Sequence, residues 1–228
     1  MSYPLVATYF TAKDIRQYKS TVSTMICNAI GLNSHFPRAL LHGSTLLGGI
    51  GIPTQTQKTT KDCINYFLYN MRWPSLVRDK LEASILYTQL EVGVFNQFLS
   101  SSFIQYGHLA TTTFLVKIWS ESEPHGIKLH ASKDVTWTPS PLSSSDLSIM
   151  EMATQKYNKK GSAMINRCRL YLRIISIFEL LTFDLSSIHP SYKTNEVPPS
   201  HSPNIHWPQF KKPHGITGNF GTISFASM

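Results

Sequence analysis

The sequence predicts a mainly α fold: an irregular helical bundle with Gly-rich turns, at most a short strand or hairpin, and a Pro-rich extended tail. Three observations lead there. Apolar residues recur at helical spacing in segments that have recognisable starts and stops. Glycines gather between Asn33 and Pro53. Prolines crowd the chain after Ser187, where aliphatic residues become few.

The first helix starts at Thr11 with Asp14 three residues on, a capping-box-like pair. Ile15, Tyr18, Val22, Met25, Ile26 and Ala29 then share one face, and Gly31 supplies the stop. A turn-rich segment follows with Gly43, Gly48, Gly49 and Gly51. A second helix is expected from about Gln57 to Met71, burying Cys63, Ile64, Phe67 and Leu68 before Trp73-Pro74 breaks it. Ser75 caps a third, which reaches Val92 with Gly93 as its stop. Asn96–Gln105 and Thr111–Trp119 read as further helices. Glu121–Pro141 reads as a loop with a short strand near Ile127–His130. Ser145 and Asp146 start a helix carrying Leu147, Met150 and Ala153, and a final helix runs from Ser162 to Ile175. The expected organisation is a helical region over 1–120, a loop linker over 121–144, a basic helical region over 145–186 and a Pro-rich tail over 187–228.

Composition bounds the function. Apolar residues make up 42% of the 228, enough for a core, while charged residues are only 15%. The net charge of +8 favours polyanionic partners. Cys27, Cys63 and Cys168 are odd in number and far apart, with no CxxC, which reads as reduced thiols in an intracellular protein, nuclear or cytoplasmic. The N-terminal residues lack a signal-peptide pattern, and no apolar run approaches the ~18–20 residues of a membrane span.

No set of residues forms a recognisable active site. Gly48-Gly49-Ile50-Gly51 lacks the Lys-Ser/Thr of a phosphate loop and reads as a tight structural turn. His42-Gly43-Ser44 faintly resembles an oxyanion segment, but no G-x-S-x-G elbow exists. The nine histidines show neither HExxH nor finger spacing, so no metal or cofactor is expected. Two-metal nucleotidyl transfer needs clustered carboxylates. No aspartates are adjacent here, and Glu121 and Glu123 read as solvated loop residues.

One positive signal stands out. Between Met152 and Phe178 lie Lys156, Lys159, Lys160, Arg167, Arg169 and Arg173, with no acid. Arg169 and Arg173 share a helical face opposite Met164, Cys168 and Ile175, which would point to the core. Such a row of long cations suits phosphate contacts, and Tyr157 and Tyr171 lie near enough to stack on bases.

Tyr3-Pro4-Leu5, Pro37-Arg38-Ala39, His42-Gly43 and Gly48-Gly49-Ile50-Gly51-Ile52-Pro53 occur in that order. Trp137-Thr138-Pro139, Asp146, Ile149-Met150 and Ile165 through Leu172 follow, then Trp207-Pro208 and Lys212-Pro213. Together, over about residues 3 to 214, they resemble the region after the polymerase core in reverse transcriptases of eukaryotic retrotransposons. The resemblance implies a thumb- or connection-like helical segment that packs behind a palm domain, carries no catalytic residue and helps grip template and primer. The alternative is an independent basic nucleic-acid-binding module. The chain departs from the pattern at Ser176-Ile177-Phe178, where similar proteins carry an aspartate. It departs again over His214–Gly221, where they are rich in tryptophan. His214, Thr217 and Phe220 each precede a glycine and can each be encoded by a codon ending in T, and T before GG reads as tryptophan in the frame one base earlier. The resemblance therefore implies a frame change near Pro213 in a degenerate element.

Overall fold

The structure is a computed structural model that describes residues 12–131, 139–193 and 208–211. It is mainly helical, and the described residues contain isolated β-bridges in place of any strand. The chain divides into two compact units, Met1–Arg78 and Asp79–Met228, so the segment 121–144 lies inside the second.

In the first unit, α1 (Ala12–Ala29) ends in a Schellman turn. The Leu32 amide donates to the Cys27 carbonyl at 2.8 Å and the Gly31 amide to that of Asn28 at 3.2 Å. Gly31 holds φ +74°, a conformation that only glycine adopts without strain. Among the α1 side chains described, Ser23 and Cys27 are buried, whereas the expected core residues Tyr18 and Met25 are exposed. Arg38 of α2 (Arg38–His42) turns this face inward by donating to Cys27 Sγ and Thr24 Oγ1.

The glycine cluster is a tight structural turn. Backbone bonds join Ile50 to Leu40, Ile52 to Leu41 and Gly51 to Gly43. Gly49 lies against the Gly43 backbone with no room for a side chain. His42 Nδ1 lies 2.7 Å from the Ile52 carbonyl, and Ser44 Oγ accepts from the Leu46 amide. Both side chains therefore serve the turn. α3 (Gln55–Arg72) opens on a capping box in which Thr54 and Gln57 bond each other's backbone amides. It buries Thr60, Cys63 and Phe67, while Leu68 is exposed.

α4 (Leu76–Val92) begins where Ser75 Oγ accepts from the Arg78 amide. Its last turn and a half, Thr88 to Val92, is buried on every side. The polar residues there are satisfied. Gln89 donates to the carbonyls of Val94 and Asn96 and accepts from the Phe98 amide. Glu91 accepts from the amide and hydroxyl of Thr111 at 2.9 and 2.6 Å.

The helix expected over Asn96–Gln105 is broken into a 3-10 turn at Phe98–Ser100 and a short α5 (Phe103–Tyr106), followed by a 3-10 turn at Gly107–Leu109. The serine run explains the break. Ser100 and Ser101 hydroxyls take the Gln97 carbonyl, and Glu123 accepts from Ser102 Oγ and the Ile104 amide. Glu123 is thus a partly buried capping residue, not the solvated loop acid expected. α6 (Phe114–Ser122) carries Trp119 into the core, edge-on to Phe98 and Phe103, with its indole N–H donating to the Ser101 carbonyl. The strand expected over Ile127–His130 is absent. The Gln97 side-chain amide pairs with both backbone groups of Ala131 and so replaces a partner strand.

α7 (Ile149–Lys156) starts at Ser148 rather than at Ser145 or Asp146. Ser148 Oγ accepts from the Met150 and Glu151 amides and donates to the Gly93 carbonyl at 2.5 Å. The Asp146 carboxylate is engaged instead by the Leu142 and Phe178 amides, which leaves Leu147 exposed. α8 (Lys159–Leu172) packs on α7 and ends at Arg173, which holds φ 59°. The chain beyond it buries Ile174 and Ile175 and bridges back at Ser176 to Ser148. Leu90, Leu170 and Ile175 form a core cluster packed by Phe95 and Phe210. The segment after Ser187 begins with a short α9 (Pro190–Lys193) that buries Tyr192. Pro190 suits the first helical position because its missing N–H would have no partner there. The rest of the tail, 194–207 and 212–228, lies outside the described residues, as do Tyr3-Pro4-Leu5 and Trp137-Thr138.

Arg169 is 1% exposed. It donates to the carbonyls of Leu90, Glu91 and Ile174 and to Asn166 Oδ1. A side chain at Gly93, which has φ +67°, would meet its guanidinium. Arg169→Met is expected to destabilise the second unit by about 3–5 kcal/mol, because buried carbonyls lose their donor. Gly93→Ala should cost about 1–3 kcal/mol through strain and collision. Denaturant unfolding of both variants beside Arg167→Gln, expected to change stability by under about 0.5 kcal/mol, checks this.

Candidate nucleic-acid interface

The cationic signal of the sequence falls on the end of α7, the turn after it and α8. α7 closes at Tyr157, whose amide donates to the Ala153 carbonyl at 2.9 Å. Asn158 then caps α8, its Oδ1 accepting from the Gly161 amide at 2.9 Å. Two helices joined by this two-residue connection present Gln155 to Lys160 as one exposed run.

The structure brings Lys156, Lys159 and Lys160 together at this turn, all exposed. Arg167 is exposed farther along α8. Lys160, Met164, Arg167 and Tyr171 follow one another at helical spacing on the outward stripe, with Tyr171 partly covered. At about 1.5 Å per residue, Lys160 and Arg167 stand about 10 Å apart along the axis.

Three residues do not take the places the sequence assigned them. Arg169 faces inward with Ser162, Asn166 and Leu170, and Met164 faces outward at 51% exposure. Arg173 is not on the helix face at all. It is the left-handed residue that terminates α8, and it is partly buried. The physical reason is that the inward face of α8 carries a polar row, Ser162, Asn166 and Arg169, beside its apolar residues. Asn166 Nδ2 donates to the Glu91 carbonyl at 2.8 Å, beside the bonds from Arg169. The end of α4 requires donors at that place, and α8 supplies them. Hydrophobic spacing treats such residues as outward-facing. The misleading signal was the arginine itself, and the usable one was the Asn166–Arg169 pair on one face.

Burial pulls the Arg169 guanidinium down to about 9, opposed by the carboxylates of Glu179 and Glu91. It therefore remains charged at neutral pH. Burial also pushes the Cys168 thiol up to about 11, which makes it a poor nucleophile. Among the described residues no group of three His, Cys, Asp or Glu side chains is placed to hold a metal ion. No described helix is long and apolar enough to cross a membrane.

Beneath the head of α8, His108 Nε2 lies 2.8 Å from Ser162 Oγ. Ser162 is 1% exposed, with its hydroxyl directed to the carbonyls of Asn158 and Lys159, so the pair is a packing contact and not an exposed nucleophile with its base. Burial, and then the charge of Lys159, hold the imidazole below its ordinary value of 6.5, against the Gln105 carbonyl. A base depressed on folding leaves the unfolded chain binding more protons, so its stability contribution is intact above 6.5 and is lost as pH falls below it. Acidification from about pH 7.5 to about pH 5.5 is expected to lower Tm, and His108→Gln to shrink that loss. Thermal unfolding of both proteins across that range measures the difference.

Comparison with models of protein families, with curated proteins and with solved structures finds no match for this chain.

Proposed function

We propose that this chain is a non-catalytic nucleic-acid-binding segment, the thumb- or connection-like part of a retroelement reverse transcriptase, which holds template and primer through their phosphates. The observation that carries this reading is the exposed set Lys156, Lys159, Lys160 and Arg167, with no acid between Met152 and Phe178. Lys159 and Lys160 stand in the first turn of α8, which contains no acid. Cations there oppose the helix dipole, so helix stability does not account for them. A bound phosphate would be held by both the dipole and the lysines.

The protein partner implied is a polymerase palm. The first unit supports it with large apolar side chains in solvent: Leu46 at 93% exposure and Leu47 at 87%, with Tyr69 and Trp73 also exposed. Large apolar side chains in solvent mark a partner site where they form one contiguous patch. The alternative, an independent binding module, rests on the same cations but needs no such cover. The two readings separate on the behaviour of the purified chain. The first expects self-association and poorly cooperative unfolding, and the second expects a monomer with a sharp transition, readable by light scattering and calorimetry.

Binding itself is tested by salt dependence. The affinity for nucleic acid is expected to fall steeply with salt, by a slope of about 0.7–0.9 for each phosphate neutralised. Lys156→Gln, Lys159→Gln and Lys160→Gln combined should lower that slope by about 2–3. Anisotropy titrations with a labelled oligonucleotide measure this, and a slope unchanged in the triple variant would remove the proposed surface.

A further inference from the structure

Tyr157 sits in the middle of the cationic turn, between Lys156 and Lys159, and is 41% exposed. It belongs to neither helix. Its backbone is extended, at φ −119° and ψ 154°, and is tied to α7 by its amide and to α8 by the Asn158 cap that follows. Its side chain starts close to the first turn of α8. A Cβ at Gly161 would lie only 3.2 Å from Tyr157 Cβ and 3.8 Å from Cδ1. The bare glycine therefore lets the ring lie along the helix end. The result is an aromatic side chain restrained at its base, open to solvent on the outside and flanked by cations on both sides in sequence.

We propose that this turn reads its ligand as a single strand, with Tyr157 stacking on one unpaired base while Lys156, Lys159 and Lys160 hold the flanking phosphates. The proposal rests on the nucleic-acid reading above and narrows it to the unpaired stretch of the template, outside its pairing with the primer. Lysines alone bind any phosphate backbone, paired or not. An aromatic ring adds affinity only where a base face is free, and in a duplex both faces are occupied by neighbouring pairs. A two-residue turn between helices projects outward, so the ring can meet a splayed base without entering a groove. Stacking tolerates any base, so no sequence preference is expected.

The test uses the full chain with one labelled oligonucleotide sequence in three forms: single-stranded RNA, single-stranded DNA and duplex DNA. The wild type is expected to bind either single strand more tightly than the duplex. Tyr157→Ala should weaken single-strand binding by about 10-fold or more. It should leave duplex binding and the salt slope unchanged, because no phosphate contact is lost. Tyr157→Phe keeps the ring and should keep the preference. Circular dichroism of each variant confirms that the helices are retained. Equal affinity for strand and duplex, or a Tyr157→Ala variant with single-strand affinity intact, overturns the stacking role and leaves the phosphate surface standing. Loss of binding to all three forms in Tyr157→Ala with the helices retained also overturns it. Absence of salt-dependent binding by the wild type to any of the three overturns both readings.

Discussion

The carbonyl end of α4 is the constraint on which the second unit depends. A helix leaves its last carbonyls without intrahelical donors, and here those groups lie in the core, out of reach of water. Gly93 turns the chain away at φ +67°, and the space that its missing side chain leaves is filled by the Arg169 guanidinium. Arg169 and Asn166 donate to the Leu90 and Glu91 carbonyls, and Ser148 donates to that of Gly93. Three residues from α8 and the start of α7 thus cap one helix from a distance. An apolar side chain in place of Arg169 or Ser148 would leave a buried acceptor unpaired, and one in place of Asn166 would take an acceptor from the Arg169 guanidinium.

This arrangement explains the two faces of α8. The inward face must carry a polar row because it serves α4, so Ser162, Asn166 and Arg169 point to the core. The outward stripe then carries Lys160, Met164 and Arg167. The cap thereby sets the rotation of α8, and that rotation decides which cations reach solvent. Arg169, although part of the cationic run, belongs to the fold, and the lysines at the head of the helix are what a polyanion could touch.

Much of the local structure was legible because its causes are local. Ser75, Gly31 and Gly93 mark helix ends through bonds or dihedrals within a few residues of themselves. The glycine cluster was readable as a turn for the same reason. Glu123 capping α5, Gln97 pairing with Ala131 and Glu91 holding Thr111 were not readable, since each joins residues 19 to 34 positions apart. A side chain that bonds a distant backbone leaves no periodic trace.

The sequence by itself determined the helical class, several helix ends, and the cluster of cations free of acids between Met152 and Phe178. Only the tertiary structure decided which of those cations face solvent. Arg169 contacts Leu90 across 79 positions, and the need to satisfy buried carbonyls outweighs the tendency of a charge to stay in water. Register on α8 is set by that demand, and a demand made by another helix cannot be read from the spacing of α8 alone.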